Sequence, residues 1–221
     1  TAGLHMGVRA LGIGPGDEVL TTPFSFVASA NCLLYERAVP RFVDIEEDSL
    51  GMDPRLLAGE TTSATRAVLP VHVFGRPCRI EETVSFARER GLPVIEDACE
   101  GLGSTVNGKP LGGFGDVAVF AFYPNKQITT GEGGMVVTDD PALAETMRSL
   151  RNQGRDSDGT WLRHVQLGYN YRLDELSAAV GVAQLERLDE LRRGRARVAA
   201  AYGRALRACA WLSLPPGGKG E

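Results

Sequence analysis

The chain has 221 residues, of which 43% are hydrophobic, and its 24 basic and 28 acidic side chains give a formal net charge of -4 at pH 7. This length and apolar content allow one large domain or two small ones, whereas the acidic balance argues against a general binder of nucleic acid or of membrane surfaces. Four cysteines without short paired spacing, three histidines and no apolar run of about 20 residues argue against a disulfide framework, a metal site and a membrane span, so we expect a cytoplasmic protein.

The amino-terminal part alternates helices and strands. Apolar residues at helical spacing predict a helix over residues 2–11, with a glycine after it. Residues 12–16 are rich in glycine, but they lie between a helix and a strand. A dinucleotide fingerprint follows a strand and opens a helix, so we interpret this stretch as a turn. A strand over residues 18–21 and a helix over residues 27–36 are predicted next.

The middle of the chain continues the alternation. Strands are predicted over residues 39–44 and 67–71, and a helix over residues 80–90. His72 follows the second of these strands and is interpreted as a structural histidine, although it could also approach a cleft. This order of elements predicts an α/β fold with a mostly parallel, doubly wound sheet and helices on both faces.

Residues 93–97 form a short apolar run that ends in a carboxylate, Asp97. A parallel strand delivers such a side chain to the crevice at its carboxyl end. A turn or helix-capping role for Asp97 is the alternative. Residues 103–110 spell most of a phosphate-binding loop, but Pro110 stands where a serine or threonine is required. Because Asn107-Gly108 favours a hairpin turn, we do not expect an ATP site.

Lys126 lies in a loop between two apolar runs, residues 117–122 and 135–138. Pro124 ends the first run and glycines open the second, which predicts a strand, a loop and a strand. A lysine held at a cleft can act as a nucleophile towards carbonyl compounds, whereas most lysines simply face solvent. Together with a strand-end aspartate, it would supply the two groups that pyridoxal phosphate (PLP) needs.

The carboxyl-terminal part is predicted to be helical. A helix is predicted over residues 141–151, a mobile loop over residues 152–160 and one long amphipathic helix over residues 173–206. Four arginines of the long helix are interpreted as a solvated face rather than a ligand site. They are Arg192, Arg193, Arg195 and Arg197.

Six stretches of the chain, in the same order, resemble sugar aminotransferases of the DegT/DnrJ/EryC1/StrS family, within the fold-type I PLP enzymes. The stretches are residues 1–6, 14–19, 23–31, 96–104, 120–138 and 168–172. The resemblance implies the aspartate aminotransferase-like large domain for residues 1–172. It also implies that residues 173–221 lead towards a smaller carboxyl-terminal domain.

The resemblance assigns roles to particular residues. Lys126 matches the lysine that binds PLP covalently, and Asp97 matches the carboxylate that keeps the pyridine nitrogen protonated. Thr1 and Ala2 match the end of the element that holds the cofactor phosphate, where helix N–H groups favour an anion. Phe26 matches an aromatic residue that stacks on the cofactor ring.

Three further positions bear on partners and substrate. Asn170 matches an asparagine that reaches across a homodimer to the partner's cofactor phosphate, which implies shared active sites. Glu100 stands where many members have histidine or glutamine, near the ring edge and the sugar. Ala121 replaces a serine and removes one hydroxyl donor to the phosphate.

The resemblance implies a PLP-dependent aminotransferase of amino-sugar biosynthesis. Its substrates would be an amino acid, with glutamate expected, and a nucleotide-linked keto-sugar. A dehydratase or deoxygenase of the same family is one alternative, against which Lys126 argues because several such members replace the lysine by histidine. A non-catalytic fragment that serves in dimerisation is another, since residues of the carboxyl-terminal domain would be absent.

Overall fold

The computed structural model describes residues 1–156 and 162–214, and its centre is a twisted sheet. The strands are β1 (Glu18–Thr21), β2 (Val39–Phe42), β3 (Thr65–Val68), β4 (Ile95–Asp97), β5 (Thr105–Val106), β6 (Lys109–Pro110), β7 (Val117–Ala121) and β8 (Gly134–Val137). Strands β2, β1 and β3 are parallel neighbours in one ladder, and β4, β7 and β8 form a second ladder in which β8 alone is antiparallel. Parallel bridges from Val68 to Val94 and from Val71 to Asp97 join the two ladders.

Helices cover this sheet and line its edges. They are α1 (Ala2–Ala10), α2 (Ala28–Leu34), α3 (Leu57–Glu60), α4 (Ile80–Glu89), α5 (Pro141–Arg151), α6 (Glu175–Glu186) and α7 (Leu188–Leu206). A short 3-10 turn, Val73–Gly75, follows the β3 region. None of the helices among the described residues combines the length and the apolar character needed to cross a membrane.

Two hydrophobic layers form because strand side chains alternate between the two faces of the sheet. Val19 and Ile95 pack with α1 and α2 on one face, whereas their neighbours Leu20 and Val94 pack with α4 on the other. The prediction of a mostly parallel sheet with helices on both faces is therefore confirmed. The chain that follows β3 runs beside β4, so that Val71 lies next to Asp97 at the carboxyl end of β4.

The predicted hairpin is present between β5 and β6. Its two central residues, Asn107 and Gly108, have φ values of 50° and 80°. Two consecutive left-handed residues are what a tight two-residue hairpin turn requires, and asparagine and glycine tolerate that conformation best. The interpretation of this stretch as a turn rather than an ATP site agrees with this geometry.

Two predicted strands end early. The strand predicted over residues 67–71 is Thr65–Val68, because Pro70 has no N–H with which to continue the ladder. The strand predicted over residues 39–44 is Val39–Phe42, since its partner β1 ends at Thr21. The Leu69 N–H, just after β3, and the Val43 N–H, just after β2, make the last backbone hydrogen bonds that join these two strands to β1.

The prediction of a single long helix over residues 173–206 was wrong. The structure has α6 and α7, separated at Arg187, whose φ of -103° and ψ of 6° are not helical. The Arg187 guanidinium bonds both carboxylate oxygens of Glu190, at 3.0 and 3.1 Å. This ion pair lies at the start of α7 and is exposed, and it would form equally well in a continuous helix.

The predicted loop over residues 152–160 is only partly described. Asn152 pairs with Asn170, and Arg155 pairs with His164, so the beginning of this stretch is tied to the segment that returns. Residues 157–160 lie outside the described residues. The pairing of Asn152 fixes the backbone of the Gly168–Arg172 stretch against the end of α5.

Candidate active site

Asp97 ends β4 and is buried, with 6% of its surface exposed. Ser29 Oγ donates a hydrogen bond to Asp97 Oδ2 over 2.7 Å, and the Cys99 N–H donates to Oδ1 over 3.2 Å. Ser25 lies one helical turn before Ser29, and their hydroxyl oxygens are 2.8 Å apart. Because a carboxylate has about four lone-pair sites and these donors use two of them, Asp97 can accept a further N–H from a ligand.

Two thiols next to Asp97 are held in the neutral form. Burial, and then the charge of Asp97, raise the pKa of Cys32 to about 12. The same two causes, in the same order, raise the pKa of Cys99 beyond that of a free cysteine. A neutral thiol is a poor nucleophile, so neither cysteine competes chemically with the lysine described below.

Glu96 precedes Asp97 and faces the other side of the sheet, where it is fully buried. Its carboxylate accepts backbone N–H groups of Gly112, Phe114 and Gly115 over 3.0, 2.7 and 2.6 Å. His72 Nε2 lies 3.2 Å from Glu96 Oε2, and the Cys78 N–H donates to His72 Nδ1 over 3.3 Å. These contacts give His72 a structural place in the core, as its sequence context indicates.

Lys126 lies in the turn that follows β7. Its N–H donates to the Tyr123 carbonyl over 2.9 Å, and Thr130 N–H donates to Phe122 O over 2.9 Å, closing the loop between β7 and β8. The predicted strand, loop and strand are therefore present. Lys126 Nζ lies 3.0 Å from Glu100 Oε1, and the exposed fractions of the two side chains are 17% and 35%. The amine thus points into the molecule rather than into solvent.

Glu100 also connects the lysine to the Val73–Gly75 turn. Its second oxygen accepts the Phe74 N–H over 2.8 Å, and its carbonyl accepts the side-chain amide of Gln127. Phe74 has a φ of 56°, a conformation that is costly for a side chain of this size. At Gly75 a Cβ atom would lie 2.5 Å from Glu100 O, so only glycine allows this approach.

Helices α6 and α7 pack over the lysine loop. Gln184 Oε1 accepts the Thr129 N–H over 3.3 Å, and Arg195 donates to the Lys126 carbonyl. A Cβ atom at Gly103 would lie 2.6 Å from Arg192 Nε, so this arginine also packs on the body of the protein. All four α7 arginines are exposed, as the interpretation of a solvated face predicts, although Arg192 and Arg195 also contact the body of the protein.

The amino terminus of α1 borders a cleft of about 880 Å³. Thr1 and Ala2 line it together with Cys99, Ala121 and Arg172. The Thr1 side chain makes no capping hydrogen bond, and no acidic residue lies in the first turn. The first N–H groups of α1 and the positive end of its dipole therefore lie at the edge of the cleft without a capping side chain from Thr1.

The remaining predicted site residues lie on the surface of the chain. Phe26 precedes α2 and has 78% of its surface exposed. Asn170 is also exposed and lies in the Gly168–Arg172 stretch, where Arg172 Nη1 donates to Asn152 Oδ1 over 2.9 Å. The structure therefore brings Lys126 into contact with Glu100, which lies three residues after Asp97 in the chain. Phe26 and Asn170 make no hydrogen bond or ion pair with Lys126 or Glu100 within the described residues.

Two features of the site were not predicted. Ser29 is the hydroxyl donor to Asp97, and its spacing of four residues from Ser25 was the available signal. Glu96 anchors the glycine-rich loop of residues 112–115, which leads into β7. Among the described residues, no group of three or more potential ligands is arranged to bind a metal ion.

The chain was compared with known proteins. Residues 1–219 match the model of the DegT/DnrJ/EryC1/StrS aminotransferase family. The GDP-perosamine synthase of Caulobacter vibrioides is 44% identical over 206 residues, which are 93% of this chain and 55% of that protein. The putative pyridoxal phosphate-dependent aminotransferase EpsN of Bacillus subtilis is 42% identical over 212 residues, which are 93% of this chain and 54% of that protein.

A solved structure is also similar over almost the whole chain. DesV of S. venezuelae, in complex with a ketimine intermediate, superposes with a TM-score of 0.92 at 38% identity, covering 99% of this chain and 58% of that one. The chain thus spans about half the length of the curated relatives it matches.

Proposed function

This chain belongs to the DegT/DnrJ/EryC1/StrS aminotransferase family, and we propose that it is the cofactor-binding part of an enzyme that transfers an amino group to a nucleotide-linked keto-sugar. The cofactor would be PLP, and the amino donor an amino acid such as glutamate. The observation that carries the proposal is the inward-facing amine of Lys126, 3.0 Å from Glu100, in the fold of this family.

The names of relatives support the cofactor and the substrate class. One relative is named as a pyridoxal phosphate-dependent aminotransferase, and several are named as GDP-perosamine synthases. Another is a 3-aminotransferase of a UDP-linked dehydro-glucosamine. The sugar and the nucleotide differ among these names, so the proposal for this chain goes no further than a nucleotide-linked keto-sugar.

The described residues fit PLP by the chemistry of their donors and acceptors. Lys126 supplies a primary amine, and the ionised Asp97 retains acceptor capacity for a ring N–H. The uncapped start of α1 at Thr1 and Ala2 offers N–H groups to a phosphate. When bound, PLP supplies an aldehyde carbon that takes up the amino group and a protonated ring that withdraws electrons.

In this proposal each residue has a defined task. Lys126 Nζ holds the cofactor covalently and, once released, moves the proton of the donor's α carbon. Asp97 keeps the proton on the ring nitrogen. Glu100 compensates the charge of the Lys126 ammonium and faces the sugar, and Phe26 packs on the ring.

The proposed assembly is a homodimer. In it, Thr1 and Ala2 hold the phosphate of the chain's own cofactor, and Asn170 reaches the phosphate held by a second copy. The exposure of Asn170 is compatible with that task. Residues 1–172 are proposed as the PLP-binding domain, with residues 173–221 as the segment that leads from it towards a smaller carboxyl-terminal domain.

The test is the visible absorption spectrum of the purified protein with PLP, before and after addition of glutamate. We expect a band of enzyme-bound PLP that disappears with glutamate and returns when a nucleotide-linked keto-sugar is added. An aminated sugar in the product would distinguish amino transfer from dehydration, because dehydration adds no amino group to the sugar. A protein that binds no PLP would refute the proposal.

A further inference from the structure

A buried polar cluster lies outside the proposed chemistry and connects three elements. We define the His5–Glu36 cluster as His5, Glu36, Tyr169 and Tyr171. His5 is in the middle of α1, is 3% exposed, and lies in the first full turn after Thr1, to whose carbonyl its N–H donates over 3.0 Å. Its Nε2 is 2.8 Å from Glu36 Oε1, and its Nδ1 is 3.2 Å from the Tyr171 hydroxyl.

Every polar atom at the centre of this cluster has a partner. Glu36 accepts the Tyr169 hydroxyl over 3.0 Å, and its second oxygen accepts Arg9 Nη1 over 2.9 Å. In the imidazole tautomer with its hydrogen on Nε2, His5 donates to Glu36 and accepts from Tyr171. A fully satisfied buried network of this kind fixes the orientation of its members.

The two tyrosines decide where Asn170 points. Their rings are stacked, with centroids 5.0 Å apart and planes 10° apart, on the side of the segment that faces His5. The N–H groups of Tyr169 and Tyr171 donate to Leu150 O and Arg151 O over 2.6 and 3.0 Å. Because successive side chains of an extended segment alternate in direction, Asn170 lies on the opposite, exposed side.

We propose that the His5–Glu36 cluster is a positioning device that ties the phosphate-facing end of α1 to Asn170, so that both are held in the geometry that grips a cofactor phosphate. This inference rests on the proposed function, which assigns Thr1 and Ala2 to one phosphate and Asn170 to that of a second copy. The proposed function gives none of the four residues a contact with the cofactor. His5, Glu36 and Tyr169 lie outside the lining of the cleft beside Thr1 and Ala2, which Tyr171 borders. The residues of the cluster strengthen the binding of the cofactor phosphate and leave the binding of the pyridine ring unchanged.

The experiment compares PLP with pyridoxal, which has the same ring and aldehyde but no phosphate. Dissociation constants of both are measured by absorption for the wild-type protein and for the variant Tyr169→Phe/Tyr171→Phe, which loses two hydroxyl hydrogen bonds and keeps the stacked rings. We expect PLP to bind about 10-fold more weakly to the variant. Pyridoxal should bind equally well to both proteins.

The control is Tyr35→Phe. Tyr35 contacts the His5 ring edge-on, with centroids 5.3 Å apart, but its hydroxyl makes no hydrogen bond within the described residues. This variant carries the same chemical change beside the same histidine, and both dissociation constants should stay at the wild-type values. Thermal unfolding of each variant verifies that it is folded. The single variant Tyr169→Phe, which loses the hydrogen bond to Glu36 and lies outside the lining of the cleft, replaces the double one if the latter does not fold.

A second measurement tests whether the cluster acts on phosphate binding through Asn170. Asn170→Ala should weaken PLP and leave pyridoxal unchanged, and adding it to the tyrosine variant should cause little further loss, since both act on one interaction. Equal loss of PLP and pyridoxal, or fully additive losses, would overturn the positioning role. Unchanged PLP binding by the tyrosine variant would also overturn it while leaving the proposed function intact, whereas a wild-type protein that binds neither compound would refute both.

Discussion

At the scale of single residues, the site is organised by charges that already have partners. Lys126 is paired with Glu100, whose other oxygen is held by the Phe74 N–H. Asp97 is paired with the Ser29 hydroxyl and the Cys99 N–H. Lys126 must leave its ion pair with Glu100 to react, whereas the hydrogen bonds to Asp97 and to the second oxygen of Glu100 fix those two carboxylates in advance, which favours electrostatic stabilisation.

Replacement of Asp97 by asparagine tests the electrostatic part of the proposal. Asp97→Asn keeps an oxygen for the Ser29 hydroxyl but removes the negative charge that would hold a proton on the ring nitrogen. We expect the conversion of bound PLP by glutamate to slow by about 10²–10³-fold, as for loss of a key stabilising group. The measurement is single-turnover absorption, with the exposed Asp139→Asn as control. A rate within a factor of two of wild type would remove Asp97 from this role.

At the scale of elements, α5 shows how one side chain fixes a boundary. Asp140 Oδ1 accepts the N–H groups of Ala142 and Leu143 over 2.7 and 3.2 Å, and Pro141 occupies the first helical position. We expect Asp140→Ala to lower the free energy of unfolding by about 1 kcal/mol. This loss corresponds to a fall in Tm of about 2–4 °C.

The control for this prediction is the neighbouring Asp139→Ala. Asp139 is exposed and caps no helix, so its replacement should leave Tm unchanged. Differential scanning calorimetry of both variants gives the comparison. Equal shifts for the two would show that the change reflects lost surface charge rather than lost capping.

Local signals explain which elements could be predicted. The β5–β6 hairpin and the start of α5 follow from Asn107-Gly108 and Asp140-Pro141, whose backbone preferences are strong. The break at Arg187 has neither glycine nor proline to indicate it in the sequence, and the helix that follows it contacts the lysine loop through Arg195. The end of β3 at Val68 could have been foreseen from Pro70.

The candidate site could be predicted only in part. Asp97 could be predicted because it ends an apolar run, and Lys126 because it lies in a loop between two apolar runs. The resemblance to a family supplied their roles. Their partners come from elsewhere in the chain: Ser29 is 68 residues from Asp97, and Tyr171 is 166 residues from His5. Contacts at such separations depend on the packing of helices on the sheet, which no local pattern encodes.

At the scale of the whole molecule, buried Glu96 joins the centre of the sheet to two loops. Burial by itself would raise its pKa, but hydrogen bonds from His72 and from the N–H groups of Gly115 and Gly112 hold the pKa of Glu96 below its usual value. A carboxyl whose pKa is lower in the folded state contributes stability above its unfolded pKa of about 4.3. That contribution is lost as the pH falls through the folded value.

Glu96→Gln should therefore change the acid dependence of stability. At pH 7 we expect the variant to lose about 1.5–3 kcal/mol, the range for hydrogen bonds to a charged group. Below about pH 4.3 the difference from wild type should shrink, because the wild-type carboxyl also becomes neutral. Urea unfolding at a series of pH values measures this.

Glu186→Gln serves as its control. Glu186 ends α6 on the surface and makes no hydrogen bond with a described residue. Its replacement should leave the pH dependence of the unfolding free energy as in wild type. A difference between Glu96→Gln and wild type that stays constant from pH 7 to pH 3 would contradict the account of Glu96.

The central claim is that Lys126 holds the cofactor, and the chain offers a sharp test because it contains three lysines, Lys109, Lys126 and Lys219. The protein is incubated with PLP, reduced with borohydride to make any bond to an amine permanent, digested and mapped by mass spectrometry. The account predicts the phosphopyridoxyl group on Lys126, its loss in Lys126→Arg and its retention in Lys109→Arg. A label on Lys109 or Lys219, or an equal amount of label in Lys126→Arg, would contradict it.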